Sequence, residues 1–521
     1  MKKSLRKMPG YTLKTALCGI LIGLSATGCN KLDIQNENHP DRDAVLSTGA
    51  DLMEVLAGGY ATWWQSVHGN YPVIGIGVAS DAYGFPWDDF GGRRMGDEPR
   101  KAYHNRVSET PDYRQIAESP WYGCLSAASS ANDVLAALER GVGIDQGGPQ
   151  DQSIEAAAYL LRGLSRGYLG LIFDQCLITD EHTDLEDLPP FDTYRSAVTA
   201  AAGDLTDAAE IAAPLGDNFI HSYFNGLTLN GADFSAVCHA YAARFLAQWP
   251  RTEDEYQQVD WQAVLNHAEK GLTFDFAPIA KGGKWTSYQQ YTFAETGLGP
   301  LWARVDQRIV AAMDNSQPAR YPEVNAKGEA PLAHPMATSP DKRLSTDFIY
   351  LAQVNFPVSR GEWHFSHYKH NRNVTDSGFA GDGHTQGPMP VFLAADCQLL
   401  KAEALLGLSQ LQQAVNAVNA GTRVTRGNLP QLLASAGAGN IKKAIFYERA
   451  IELFNTGPMG LWFDRRRSGA RQDYLTADPL GGLQTGTPAQ LPVPANELSI
   501  HGEAPYDFGG EADPSGITKV Y

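Results

Sequence analysis

The stretch ERAIELFNTGPMGLWFDRRRSG, residues 448–469, sets two glutamates against a run of arginines. Glu448 and Glu452 are four residues apart, so on a helix they share one face, where like charges destabilise each other unless a cation lies near. Arg465 and Arg466 belong to a run that follows a Gly-Pro turn, and guanidinium groups pair well with carboxylates. We interpret the stretch as a structural ion network that holds a helical scaffold together.

The alternative interpretation makes the two glutamates the acid and base of a glycoside hydrolase. That chemistry needs one carboxyl group to stay protonated near neutral pH, whereas neighbouring arginines favour the ionised form. The sequence also lacks a GxSxG elbow, a GxxxxGK[ST] loop and a GxGxxG placed between strand and helix. We therefore predict no catalytic residues, although glycosidase carboxylates carry no local signature that would exclude an enzyme.

The amino terminus predicts a lipid anchor. The first 28 residues hold five lysines and arginines and no acid, and the apolar stretch ALCGILIGLSATGC ends at Cys29. This pattern is typical of a secretory signal and is too short for a membrane span. Small residues directly before Cys29 match the pattern read by the lipoprotein signal peptidase, which predicts a signal peptide over residues 1–28 and acyl chains such as palmitate on Cys29. Two or more chains give stable anchoring; the alternative is an ordinary cleaved signal with a cysteine nearby.

Net charge and cysteine spacing limit the partners. The formal net charge is −17, and removing the five positive charges of the signal leaves about −22, which argues against binding nucleic acid or anionic headgroups. Cys124, Cys176, Cys238 and Cys397 are at least 52 residues apart and form no CxxC or metal-ligand spacing. We predict buried free thiols, with one long-range disulfide left open.

Apolar periodicity predicts a mainly α fold. Residues 151–173 carry apolar side chains at helical spacing, with Ala and Gly that let a neighbouring helix approach. A second helix is predicted from Asp192 as N-cap to Pro214, and a fourth from Asp260 as N-cap to Gly271. A third helix precedes Pro250, and three more lie between 390 and 456.

These helices resemble the pairs of tetratricopeptide repeats. The predicted pairs span about 151–272 and 391–456 within one domain, 46–521, which follows a flexible leash at 29–45. The remaining stretches mix Gly, Pro, Asn and Asp with Trp and Tyr, so we predict structured, loop-rich insertions at 60–125, 273–390 and 468–521.

Four stretches of the chain belong together: Cys29 followed by KLDIQNENHP, EWHFSHYKHNRN with GDGHTQGPMPVFLAADCQLLKAEAL, ERAIELFNTGPMGLWFDRRR, and TGTPAQLPVPANEL. In this order they resemble the SusD/RagB family of outer-membrane nutrient-binding lipoproteins. The resemblance implies a SusD-like α-helical scaffold with four helix-pair repeats. It also implies a lid on a SusC-like, TonB-dependent β-barrel transporter, which receives a ligand captured at the cell surface. Many members bind glycans and some relatives handle peptides, so the ligand class stays open.

A glycan site needs exposed aromatic platforms flanked by polar side chains. Two polar loops offer them: SDAYGFPWDDFGGRR at 80–94 and GGKWTSYQQYTF at 282–293. The family resemblance adds weight, because its ligand sites draw aromatic residues from an early loop and from the middle of the chain. The predicted ligand-binding residues are Asp81, Tyr83, Trp87, Arg93, Trp285, Tyr288 and Tyr291.

Other aromatic and histidine residues have a structural interpretation. Trp63 and Trp64 lie at helical spacing, so we expect at least one of them in the core. His364, His367 and His370 recur every three residues, which places them on no single face of a helix or strand, and FSHYKH favours a strand. With no HExxH and no paired cysteines, we predict no metal and no cofactor.

The lipobox together with the family resemblance implies a cell-surface lipoprotein of the outer membrane. It would bind an oligosaccharide or polysaccharide and deliver it to the transporter. The alternatives are the same role with a peptide ligand, a lipid-anchored glycan hydrolase, and an adaptor that binds another outer-membrane protein and no ligand. The abundance of loop tryptophan and tyrosine favours a glycan.

Overall fold

The computed structural model of the protein describes most of the chain after the amino terminus. The described residues are 46–184, 187–219, 221–281, 283–286, 303–320, 334–352, 366–372, 387–476 and 478–521. Four residues that the sequence singles out lie outside them: Cys29, Tyr288, Tyr291 and His364.

Helices dominate the described residues. They are α1 (Gly49–His68), α2 (Asn70–Ala79), α3 (Gly92–Met95), α4 (Pro111–Glu139), α5 (Pro149–Ile172), α6 (Tyr194–Ala212), α7 (Gly231–Gln248), α8 (Glu253–Tyr256), α9 (Trp261–Glu269), α10 (Gln307–Met313), α11 (Arg343–Thr346), α12 (Ala394–Gly407), α13 (Leu411–Ala420), α14 (Thr422–Thr425), α15 (Ala438–Glu452), α16 (Gly460–Ser468) and α17 (Ala495–Ile500). The predicted mainly α fold is confirmed.

The strands are short and pair two by two. They are β1 (Tyr83–Gly84), β2 (Ala102–Tyr103), β3 (Gln175–Cys176), β4 (Asp192–Thr193), β5 (Ile279–Ala280), β6 (Arg304–Val305), β7 (Phe348–Tyr350), β8 (Tyr368–His370), β9 (Gly387–Pro388) and β10 (Phe508–Gly509). The antiparallel pairs are β1–β6, β2–β10, β3–β4, β5–β9 and β7–β8. These two-stranded ribbons connect loops to one another, and among the described residues they form no continuous sheet.

The helices pack in chain order, as helix pairs do. α4, α5, α6 and α7 each pack against the next, α9 lies against α7 and α12, and α12 packs against α13 and α15. Small residues make the crossings close: a Cβ added at Gly170 of α5 would lie 2.9 Å from the Tyr194 carbonyl oxygen of α6, and one at Gly163 would lie 2.9 Å from Leu205 Cγ. The predicted close approach along 151–173 is confirmed.

Two predicted boundaries need correction. The stretch 60–125, predicted to be loop-rich, is largely helical, because α1, α2 and the first half of α4 lie there, and α1 packs along α4. Asp192 lies in β4, and the N-cap of α6 is Thr193, whose Oγ1 accepts the Ser196 N–H at 3.1 Å. The other predicted cap is confirmed: Asp260 Oδ1 accepts the Ala263 N–H at 2.9 Å.

Alternating buried charges connect α7, α12, α15 and α16. Arg244 of α7 and Arg449 of α15 each bind one oxygen of Asp396 of α12, at 2.8 and 2.9 Å. Arg449 also binds Asp464 of α16 at 2.8 Å. All four side chains are buried, and each charge has an opposite charge beside it, which is the condition under which buried charges are tolerated.

Arg467 of α16 extends this network back to α12. It binds Asp464 at 2.9 Å and Glu403 at 3.0 Å, and both it and Glu403 are completely buried. Its neighbour Arg466 instead donates to main-chain carbonyls, those of Leu171, Gln248 and Ala489. The arginine run therefore joins α16 to α5, α7 and α12, and to the main chain at Ala489.

The predicted partners of Glu448 and Glu452 are wrong. Glu448 and Glu452 do share a face of α15 and are completely buried, but Arg465 and Arg466 do not bind them. Arg343 of α11 binds both, at 2.7 and 3.1 Å. The other cations are also distant in sequence: Arg372, Arg423 and Arg426.

The turn before α16 explains this difference. Asn455, Gly457 and Met459 all have positive φ, so the chain reverses sharply between α15 and α16 and directs the arginines away from the glutamates. Arg465 instead lies 3.7 Å from Asp81 and donates to the Pro479 carbonyl.

The remaining interior is apolar and its thiols are free. Trp63 and Trp64 are both completely buried, so the predicted core role is confirmed for both. The four predicted free cysteines are buried and unpaired in the described residues, as expected: Cys124, Cys176, Cys238 and Cys397. Within the described ranges, no helix has the length and apolar character needed to cross a membrane.

Acid should weaken the fold through its buried histidines. His68 is completely buried and stacks on Trp64 at 4.2 Å; burial, aided by Arg244, lowers its pKa to about 3. An unfolded chain, with a histidine pKa of about 6.5, takes up the proton as pH falls from about 6.5 to 3, so the folded state loses stability across this window. His68→Phe removes this contribution, and urea denaturation should show a fall in unfolding free energy between pH 7 and pH 5 that is about 2 kcal/mol smaller than in the wild type. An equal fall in both proteins would contradict this assignment.

The charge network should make a large contribution to stability. Burial alone would raise the pKa of Asp464, but Arg449 and Arg467 hold it below the usual value. Asp464→Asn leaves both arginines short of a buried counter-charge, so we expect the free energy of unfolding to fall by about 3–5 kcal/mol. Asp88→Asn is the matched control, because Asp88 is 62% exposed in its pair with Arg93 and should cost less than about 1 kcal/mol. Similar losses in the two variants would show that the buried network has no special role.

Candidate ligand-binding site

Two of the predicted ligand residues lie inside the protein. Asp81 is completely buried, and its carboxylate binds Arg100, Arg308 and Gln484. Tyr83 is buried in β1, and its hydroxyl donates to the Val73 carbonyl at 2.6 Å. Neither side chain can contact a ligand at the surface, so we do not retain them in the site. The sequence alone gave no sign of the arginines that surround Asp81.

The other two residues predicted in this loop reach the surface. Trp87 is half-buried, and the exposed Arg93 of α3 pairs with Asp88 at 3.1 Å. Phe90, also half-buried, packs edge-on against Tyr71 with ring centroids 5.4 Å apart. We call these five residues, together with Asp112, the Trp87 patch.

The backbone and the neighbouring helices hold this patch in shape. Phe90 has φ +57, a left-handed conformation that is disfavoured for a bulky side chain and is found at strained functional turns. The Arg93 N–H donates to the Trp87 carbonyl at 3.2 Å. Tyr71, at the start of α2, donates its hydroxyl to Asp112 of α4 at 3.3 Å, and burial followed by Asp112 raises its pKa. Tyr71 and Asp112 come from separate helices, so no local motif in the sequence marks them.

The second predicted loop lies on α1. Trp285 is half-buried and its ring centroid is 5.2 Å from that of Trp64. The Trp64 indole N–H donates to the Thr286 carbonyl at 3.2 Å, and Gln65 donates to the Gly283 carbonyl. The described part of the two loops therefore contacts the α1–α2 pair, with Trp285 near the end of α1 and the Trp87 patch at the start of α2.

Glu448 and Glu452 cannot contact a ligand. Both Glu448 and Glu452 have no exposed surface. Burial raises the pKa of Glu448, and the nearby Arg343 offsets only part of this rise. Arginines alone would lower the pKa. The structural interpretation therefore depends on the burial of the pair and not on its ionisation.

The patch offers the groups that a polyhydroxylated ligand requires. Aromatic rings present apolar faces that suit the C–H face of a sugar, while the Asp88 carboxylate accepts and the Arg93 guanidinium donates hydrogen bonds. The described histidines of the predicted strand, His367 and His370, are buried, and His367 Nδ1 lies 2.8 Å from the Leu351 carbonyl oxygen. Among the described residues, ligand atoms of Glu139, Glu181 and His182 lie within 4.8 Å of one another.

That acidic group does not support a metal site. Glu181 is already paired with Arg162 of α5, and Glu139 and His182 are exposed side chains that contact each other at 3.4 Å. A guanidinium beside a candidate ligand opposes the binding of a second cation.

Comparison with known proteins supports the predicted family. Residues 279–486 match the model of the SusD family, which confirms the predicted resemblance to the SusD/RagB family. The comparison with curated proteins found no match.

Solved structures show the same fold. A SusD superfamily protein from Bacteroides vulgatus superposes with a TM-score of 0.56 at 15% identity, covering 87% of this chain and 97% of that one. A SusD-like carbohydrate-binding protein from the same species gives 0.56 at 14% identity, covering 81% and 83%. A third structure, determined with a xylogluco-oligosaccharide, gives 0.52 at 14% identity, covering 80% and 83%.

Proposed function

We propose that this SusD-like protein is a non-catalytic binding protein that captures a glycan through the Trp87 patch. The observation that carries the proposal is the half-buried Trp87, held by a strained turn, with the Asp88–Arg93 pair beside it on the surface. A similar fold has been solved with a xylogluco-oligosaccharide, which supports a glycan as the ligand class.

The predicted amino terminus adds a location to this proposal. The lipobox at Cys29 would anchor the protein in a membrane by acyl chains, and the family resemblance implies the outer membrane with the protein facing the cell exterior. In that position the bound glycan would pass to a SusC-like, TonB-dependent transporter. Trp285 would extend the binding surface along α1; Tyr288 and Tyr291, predicted in the same loop, lie outside the described residues.

We expect the substitution Trp87→Ala to remove glycan binding. Native gel electrophoresis of the purified protein in gels that contain single polysaccharides should show retardation by at least one of them. Truncating a central aromatic contact costs about 2 kcal/mol or more, so Trp87→Ala should lower the affinity at least about tenfold. Tyr122→Ala is the control, because Tyr122 is an exposed tyrosine of α4 outside the patch, and it should leave the retardation unchanged.

Three other outcomes would contradict parts of this proposal. Retardation that survives Trp87→Ala would place the site elsewhere and retain the function. No retardation by any polysaccharide would remove the glycan and favour a peptide ligand or an adaptor. New reducing ends in the same mixtures would make the protein a hydrolase.

A further inference from the structure

A cavity of about 680 Å³ lies beside the Trp87 patch. Three segments of the chain line it: 94–113, 473–485 and 507–520. The antiparallel pair β2–β10, with Tyr103 opposite Phe508, joins the first segment to the third. The volume lies within the range typical of small-molecule sites, and no role assigned above uses this cavity.

Neighbouring residues connect the cavity to the patch at two points. In α3, Arg93 belongs to the patch and the next residue, Arg94, lines the cavity. At the start of α4, Asp112 belongs to the patch and Tyr113 lines the cavity. Consecutive Cα atoms are about 3.8 Å apart, so the cavity and the patch adjoin each other at both points.

Tyr474 gives the cavity its accessible aromatic surface. Its side chain is half-buried, and the guanidinium of Arg320 lies 5.3 Å from its ring centroid. Tyr113 has no free face, because it is buried and Arg94 lies 3.7 Å above its ring. Arg94 itself is fixed by Glu109 at 2.7 Å.

The unpaired charge of the cavity is negative. Two of its lining cations are already neutralised: Arg94 binds Glu109, and Arg100 binds Asp81. The ring of His104 lies on Asp507 at 3.0 Å, and Arg106 from outside the lining binds the same carboxylate at 2.8 Å. The lining residues that form no salt bridge within the described chain are one cation and three anions: Lys101, Asp97, Asp473 and Glu511.

A surplus of carboxylates favours one class of sugar. Carboxylates accept hydrogen bonds from hydroxyl groups, whereas a uronate or sulfate group would be repelled by them. We propose that the cavity is a second subsite, which takes a neutral sugar unit of a chain that also lies on the Trp87 patch, and excludes anionic sugar units. This inference rests on the proposed glycan-binding function and adds its ligand class.

Calorimetric titration with neutral oligosaccharides tests the subsite. The probes are hexasaccharides and disaccharides of cello-, xylo-, malto- and xyloglucan type, with the full protein. Tyr474→Ala should weaken binding of a hexasaccharide at least about fivefold, or about 1 kcal/mol, while Tyr122→Ala leaves it unchanged. A hexasaccharide that loses affinity in Trp87→Ala and keeps it in Tyr474→Ala would overturn the second subsite and leave the proposed function standing. Wild-type protein that binds none of the probes would overturn both.

A charge reversal tests the exclusion of anions without touching an aromatic residue. The double variant Asp97→Lys with Glu511→Lys changes two exposed side chains, and we expect it to raise affinity for an oligogalacturonate at least tenfold at low salt, with the gain reduced at high salt. The matched control, Glu54→Lys with Glu210→Lys, makes the same change of net charge at exposed positions of α1 and α6. Equal gains in both double variants, or tight oligogalacturonate binding by the wild type, would overturn the proposal.

Discussion

The buried pairing of Arg449 with Asp396 and Asp464 is the constraint on which the rest of the structure depends. Each of these charges lies where water cannot solvate it, so the helices that carry them are held in the one arrangement that brings opposite charges together. Arg244 and Arg467 extend the same alternation. Four helices, α7, α12, α15 and α16, thereby share one set of directional contacts, in addition to their apolar packing.

The arginine run of α16 also anchors the candidate binding site. Arg465, from the arginine run, lies 3.7 Å from Asp81, which Arg100 and Arg308 also bind. Asp81 has φ +55 and stands at the start of the loop that carries Trp87. The buried charges therefore fix the base of a loop whose tip is exposed, and a rigid support of this kind is what positions a binding surface without loss of affinity to loop ordering.

Local patterns in the sequence predicted the helices and could not predict the partners of the charges. Periodicity and capping residues act within a few positions, so the helix at 151–173 and its small residues followed directly from the sequence. The pairing of Glu448 with Arg343 spans 105 positions, and only the folded chain shows that the turn at Asn455–Met459 directs the nearby arginines elsewhere.

The candidate site could likewise be predicted only in part from the sequence. Aromatic and acidic residues in one loop indicate a binding surface, and Trp87 and Arg93 do reach the surface. The composition of the loop cannot tell an exposed residue from a buried one, and so Asp81 and Tyr83 were included with them. The prediction of loops at 60–125 is wrong for a related reason. Its glycines and aromatic residues are typical of loops, but in the structure they pack within α1 and α2.

Hydrogen–deuterium exchange of the full protein, with and without a polysaccharide that retards it, tests the central claim most directly. We expect new protection at residues 87–95 and at the neighbouring 97–113 and 473–485. We also expect α15 and α16, held by buried charges, to exchange slowly and equally in both states. Protection confined to other parts of the chain, with residues 87–95 unchanged by the ligand, would contradict the claim.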